Sequence, residues 1–138
     1  MTRLDEVQLT ERLIGFDTST AHGLAQALDF VEGVLAGSGA DVARRVLGDR
    51  ECVLAHVGTG EPSIIFHGHV DVVPGHADQY TPQIRDGRLY GRGAYDMKGA
   101  LAAMMLATAD LAGLEGASVQ LVIVPDEEAS APGPNCTE

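Results

Sequence analysis

Apolar residues follow two regimes along this chain. Between Gly23 and Ala36, Leu24, Leu28, Val31 and Leu35 recur at i, i+4, i+7 and i+11, which lines one face of a helix. Gly37-Ser38-Gly39 then ends it. Residues 4–16 show a looser form of the pattern, with Leu4, Val7, Leu13, Ile14 and Phe16 as the apolar set. The second regime is short and continuous. Asp41–Leu47 and Cys52–Val57 predict two strands around a Gly48-Asp49 turn. Ser63–Val70 is apolar on both faces at Ile64-Ile65-Phe66, which predicts a buried, central strand. Val119–Val124 predicts another, stopped by Pro125. Gln83–Arg85 and Arg88–Tyr90 flank Asp86-Gly87, a hairpin turn signal. Asp96 to Gly113, rich in Ala, Met and Leu, predicts a helix buried on most sides, with Met97, Met104 and Met105 as core filler.

Strands alternating with helices give the α/β class. The 138 residues are one domain's worth and, at 45% hydrophobic, can bury a core. No apolar stretch is long enough to span a bilayer, and Met1-Thr2-Arg3-Leu4-Asp5-Glu6 lacks a signal peptide's apolar segment, so a cytoplasmic location is expected. A net charge of −11 disfavours nucleic acid and anionic membrane as partners. The one basic doublet, Arg44-Arg45, reads as a solvated strand face. Cys52 lies in an apolar run and reads as a buried thiol; Cys136 is far from it, so no disulfide framework is implied. Pro134-Asn135-Cys136-Thr137-Glu138 has the form of a helix start, with Asn135 as N-cap and Glu138 three residues on. A helix cannot stand on its first turn alone, so the sequence is expected to stop inside an element, as a truncated domain would.

Three short runs carry chemistry. His69 and Asp71 are two apart at a strand end and point to one side. A metal-binding imidazole donates its other N–H to an acceptor, and a carboxylate two residues on suits that role. His67 shares the face and is a weaker third candidate, because it sits deeper in an apolar strand. Asp96 is placed to open the buried helix, where free N–H groups favour a carboxylate. Gly91-Arg92-Gly93 permits close backbone approach, but Asp96 stands where a dinucleotide loop needs its third glycine and would repel pyrophosphate. Glu127 and Glu128 follow a buried strand; neighbours point apart, so one can bind a metal while the other handles a proton. Ligand sites of open α/β sheets lie beyond the carboxyl ends of strands, where all three runs can converge.

These runs resemble the signatures of the zinc-dependent aminoacylase, acetylornithine deacetylase and succinyl-diaminopimelate desuccinylase family of metallopeptidases. Gly68-His69-Val70-Asp71-Val72-Val73-Pro74 is similar to the first, Leu89 through Gly99 to the second, and Asp126-Glu127-Glu128 to the third. The resemblance implies a zinc-exopeptidase-like fold, here a partial, mixed and mostly parallel sheet flanked by helices. It implies His69 on one metal, Asp96 bridging two, Glu128 on the second, Glu127 as general base and Asp71 behind His69. A cis peptide after Asp96 is implied as well. The activity implied is hydrolysis of amide bonds in acylated amino acids or small peptides, with two Zn2+ (or Co2+) per complete site. Residues 1–138 correspond to the N-terminal portion of the catalytic domain. A further acidic ligand, a C-terminal histidine and the lid domain through which relatives form homodimers all lie later in the family's chains. Ala129-Ser130-Ala131-Pro132 departs from the glycines the family places after Glu-Glu. The alternative is a stand-alone, non-catalytic binding or interaction module on the same half-fold. The joint retention of His69, Asp96 and Glu128 favours the hydrolase.

Overall fold

The structure is a computed structural model and describes residues 3–128. Helix α1 (Glu6–Ile14) starts at Asp5, whose carboxylate accepts the Gln8 amide while the Gln8 side chain returns to the Asp5 amide. Helix α2 (Ala21–Gly37) is capped by Thr20, and Gly39 leaves it in the left-handed region at φ +91°. Strands β1 (Asp41–Leu47) and β2 (Arg50–Thr59) form a hairpin closed by Gly48-Asp49. Strand β3 (Ser63–His69) follows, and then the small hairpin of β4 (Gln83–Arg85) and β5 (Arg88–Tyr90). Its turn uses Asp86 and Gly87 at φ +51° and +71°, as that dipeptide predicts. Helix α3 (Gly99–Asp110) leads to strand β6 (Ala117–Val124).

The main sheet has the order β1-β2-β6-β3. It is mixed, as expected, but only the β3–β6 pairing is parallel; β1–β2 and β2–β6 are antiparallel. A tight turn must fold β2 back on β1, whereas the long crossover through α3 returns β6 beside β3 in the same direction. Val53, Ala55, Leu121 and Ile123 pack against Leu9 and Leu13 of α1, Leu28 and Val31 of α2, and Leu101 and Met105 of α3. Burying the Val, Leu, Ile and Met side chains among these contributes about 1.5–3 kcal/mol each.

Three further expectations need correction. Ser63–Val70 is not central: among the described residues β3 is an edge strand, with Ile64 48% and Ile65 63% exposed. An apolar run shows that both faces suit burial, not what covers them. Only its end is enclosed, where a Cβ on Gly68 would meet Met104 Cε at 2.7 Å. The second correction concerns Asp96, which does not open α3. Ala94–Lys98 makes one wide turn before the helix, with Asp96 extended at φ −125°, ψ 97°. Thirdly, Arg44 is not simply solvated: it donates to Asp29, Glu32 and Glu51, tying α2 to the hairpin. Cys52 is a buried free thiol, as expected. Cys136 and the helix start at Asn135 lie outside the described residues.

Candidate metal centre

The parallel register of β3 and β6 sets the site. His69 lies opposite Val124, and the Val70 amide bonds the Val124 carbonyl at 3.0 Å, so both strands run out at one edge. Asp71 and the Asp126-Glu127-Glu128 segment therefore emerge side by side. Asp71 is 5% exposed, and its carboxylate accepts the Glu127 amide at 3.2 Å and the Glu128 amide at 2.7 Å. One buried carboxylate thus fixes the backbone of both glutamates.

Asp96 arrives on a separate segment, the Ala94–Lys98 turn. Gly93 begins that turn at φ +76°, and a Cβ there would come within 2.5 Å of Val72 Cγ1. Lys98 holds its far end. The Lys98 amide bonds the Gly93 carbonyl at 2.8 Å, and its ammonium donates to the Phe16 carbonyl at 3.0 Å. The Asp96–Met97 peptide is cis.

His69 joins these parts. Its Nδ1 is 3.0 Å from the Asp71 carbonyl oxygen and 3.3 Å from the Asp71 carboxylate. That arrangement turns Nε2 outward, 3.1 Å from Asp96 Oδ1 and 3.9 Å from Glu127 Oε2. The His69 amide meets Met97 Sδ at 3.3 Å, a role for that methionine beyond filling the core. His69, Glu127 and Glu128 each offer a donor atom within 4.8 Å of the others. Asp96 stands beside this trio through His69, and with Glu128 it lines an open pocket of about 240 Å³ that Arg92 and Tyr95 also border. His67 is exposed on β3 and lies outside the cluster.

The electrostatics favour a cation. Burial, the largest single influence on His69, opposes its protonation, yet Asp96, Asp71 and Glu127 outweigh it and hold the imidazole above its usual range. Loss of water and then repulsion from Glu127 and Asp96 push the Glu128 carboxyl up. Crowded carboxylates around an outward imidazole nitrogen are relieved by a divalent ion. A donor set of one imidazole and carboxylate oxygens suits a divalent metal ion.

Two supports escaped the sequence reading. Lys98 is the chain's only lysine and is fully buried, with its pKa lowered to about 8 by loss of water. Asp126 is buried and paired with Arg50. A lone lysine within an apolar helical run was the available signal for the first. The second joins residues 76 apart, which no spacing rule reaches.

A succinyl-diaminopimelate desuccinylase from Phenylobacterium zucineum is 40% identical and covers 93% of this chain, which spans 36% of that protein. One from Caulobacter vibrioides is 37% identical over the same share of this chain and 34% of its own. This chain spans about a third of the length of these relatives. Human carnosine dipeptidase 1 superposes with a TM-score of 0.74 at 25% identity, over 93% of this chain and 33% of that one. An M20 family metallo-carboxypeptidase from Sulfolobus solfataricus shares the fold, with a TM-score of 0.75 at 18% identity over 87% of this chain and 30% of its own. The profile of peptidase family M20/M25/M40 matches residues 65–136, from β3 through all three site motifs, and the chain belongs to that family.

Proposed function

We propose that residues 3–128 carry a principal part of a two-metal site for hydrolysing amide bonds in acylated amino acids or small peptides. The observation that carries this reading is the His69 ring, held through Nδ1 by Asp71 with Nε2 turned toward Asp96 and Glu127. In the proposal His69 and Asp96 hold one zinc, and Asp96 and Glu128 the other. Bound there, the metals would polarise the scissile carbonyl and lower the pKa of water. Glu127 takes the proton from the attacking water and passes it to the departing amine. Its side chain, 58% exposed, is free to make that movement. Asp71 keeps the His69 tautomer fixed and never touches substrate. The structure groups Glu127 with the donor cluster, so the division of labour between the two glutamates rests on the family motif.

The desuccinylase relatives support N-acylated amino acids, succinylated ones first, as the substrate class. A cytoplasmic location and a homodimer of the longer relatives' kind belong to the same proposal. These donors give each zinc two protein ligands, where catalytic zinc has three and a water. Metal binding by these residues alone is therefore weak and turnover slow. The test is Co2+ titration followed by d–d absorption, with hydrolysis of N-succinyl and N-acetyl amino acids measured beside it. Saturable Co2+ binding that His69→Ala and Asp96→Asn abolish is the expected result. Absence of saturable binding overturns the metal reading, and fast turnover that survives Glu127→Gln overturns the assignment of the base.

A further inference from the structure

Arg50 begins β2, at the sheet end where the first hairpin turns back. Its Nη1 donates to Asp126 Oδ2 at 2.9 Å, with the two side chains 17% and 3% exposed. Asp126 immediately precedes Glu127 and Glu128. From this geometry we infer that Arg50 is a positioning residue for both glutamates, acting through Asp126; the inference rests on the two-metal reading above.

The case starts from what holds the glutamates. The Glu127 side chain is largely in solvent, so the protein directs it through the backbone. On one side Asp71 accepts both amides. On the other, toward β2, Arg50 holds the Asp126 carboxylate. Two anchors on opposite sides of a three-residue segment fix the peptide planes between them, since each peptide is itself rigid. With only the Asp71 anchor the segment could still pivot about it. A charge-assisted bond to a buried carboxylate is among the stronger polar contacts, and removing its cation leaves a charge that must find water. A shift of the segment that lets water reach Asp126 carries Glu127 and Glu128 with it. Arg50 precedes the residues matched by the family profile, so motif reading does not reach it.

The experiment compares Arg50→Met, Arg50→Lys and Arg50→Met/Asp126→Asn with the parent in the full chain. Amide hydrogen exchange is measured without metal, and Co2+ affinity by absorption. Arg50→Met is expected to speed exchange of the Glu127 and Glu128 amides about 10-fold more than that of Leu121 in the core of β6. Co2+ affinity should fall about 10-fold, as it does on losing an outer support. Arg50→Lys should recover part of both. The neutral double variant removes the stranded charge but does not restore the anchor, so its Co2+ affinity should stay low. Exchange that rises equally at Leu121 and Glu128, or full Co2+ affinity in the double variant, would show that Arg50 only neutralises a buried charge and would overturn the inference. A parent chain that takes no Co2+ overturns the two-metal reading separately, and the exchange rates still decide whether the anchor exists.

Discussion

Replacing Asp71 by Asn tests the centre at its narrowest point. The change is nearly isosteric, so packing is kept and only hydrogen-bond chemistry alters. In the native site both carboxylate oxygens accept, from the Glu127 amide at 3.2 Å and the Glu128 amide at 2.7 Å. An asparagine keeps one acceptor and presents an NH2 group to the other amide. One bond to a charged group is lost, at about 1.5–3 kcal/mol, and a donor then faces a donor in a site that is 5% exposed. The surviving bond is weakened from charged to neutral. We expect a total loss of about 2–4 kcal/mol, well outside the roughly ±0.5 kcal/mol of an ordinary surface change. Urea denaturation with EDTA present should show a lower midpoint and an unchanged slope. The exposed turn variant Asp86→Asn is the control and should match the parent, since asparagine tolerates the positive φ there. Co2+ affinity of Asp71→Asn should fall about 10- to 100-fold, because His69 loses its charged neighbour 3.3 Å from Nδ1. A midpoint and a Co2+ affinity both equal to the parent's would refute the view that Asp71 organises the site.

Further outcomes follow from the same geometry. The Lys98 ammonium, at about 8 in the fold against 10.5 outside it, means that the unfolded chain binds more protons between those values. Metal-free stability should therefore climb as pH rises from about 8 to 10.5, by about 3 kcal/mol from this group, and Lys98→Met should abolish the climb; equal slopes in the two proteins would contradict it. Gly93→Ala forces a left-handed alanine at about 1–2 kcal/mol and a 2.5 Å approach to Val72, so thermal denaturation should show a clear loss, and an unchanged midpoint would place the turn elsewhere. The β3 edge, unpaired among the described residues and with Ile65 63% exposed, should drive concentration-dependent association in sedimentation velocity that Ile65→Lys suppresses. A parent that stays monomeric across the concentration range would count against the edge as an associating surface.

What the sequence made legible was local. Asp86-Gly87 specifies its turn because few residues accept positive φ, and the α2 stripe specifies its buried face because helical spacing alone determines it. The His69 and Glu127-Glu128 candidates were legible for a related reason: each lies within a few positions of a strand end, and parallel pairing of β3 with β6 brings those two ends together. What stayed hidden depends on neighbours distant in the chain. Ile64-Ile65-Phe66 reads alike in a central and an edge strand, since the difference lies in the strand beside it. Asp96 read as a helix start because Ala, Met and Leu follow it, yet the backbone turns at Gly93 and the helix waits until Gly99.

The same distinction separates the donors from their supports. The candidate donors His69, Asp96 and Glu128, with Glu127 beside them, were readable because metal chemistry restricts the side chains that can serve. Asp71 was readable from its spacing to His69, whereas Asp126, Arg50 and Lys98 are ordinary charged residues whose contacts give them meaning. Each carries a charge out of water, which is tolerated only against a specific partner: two amides for Asp71, Arg50 for Asp126, the Phe16 carbonyl for Lys98. Such contacts fix geometry more firmly than apolar packing, because a small displacement leaves a buried charge uncompensated. Together they hold the strand ends and the Asp96 turn in one register, while the carboxylates of Asp96 and Glu127, 67% and 58% exposed, remain open to whatever the site receives.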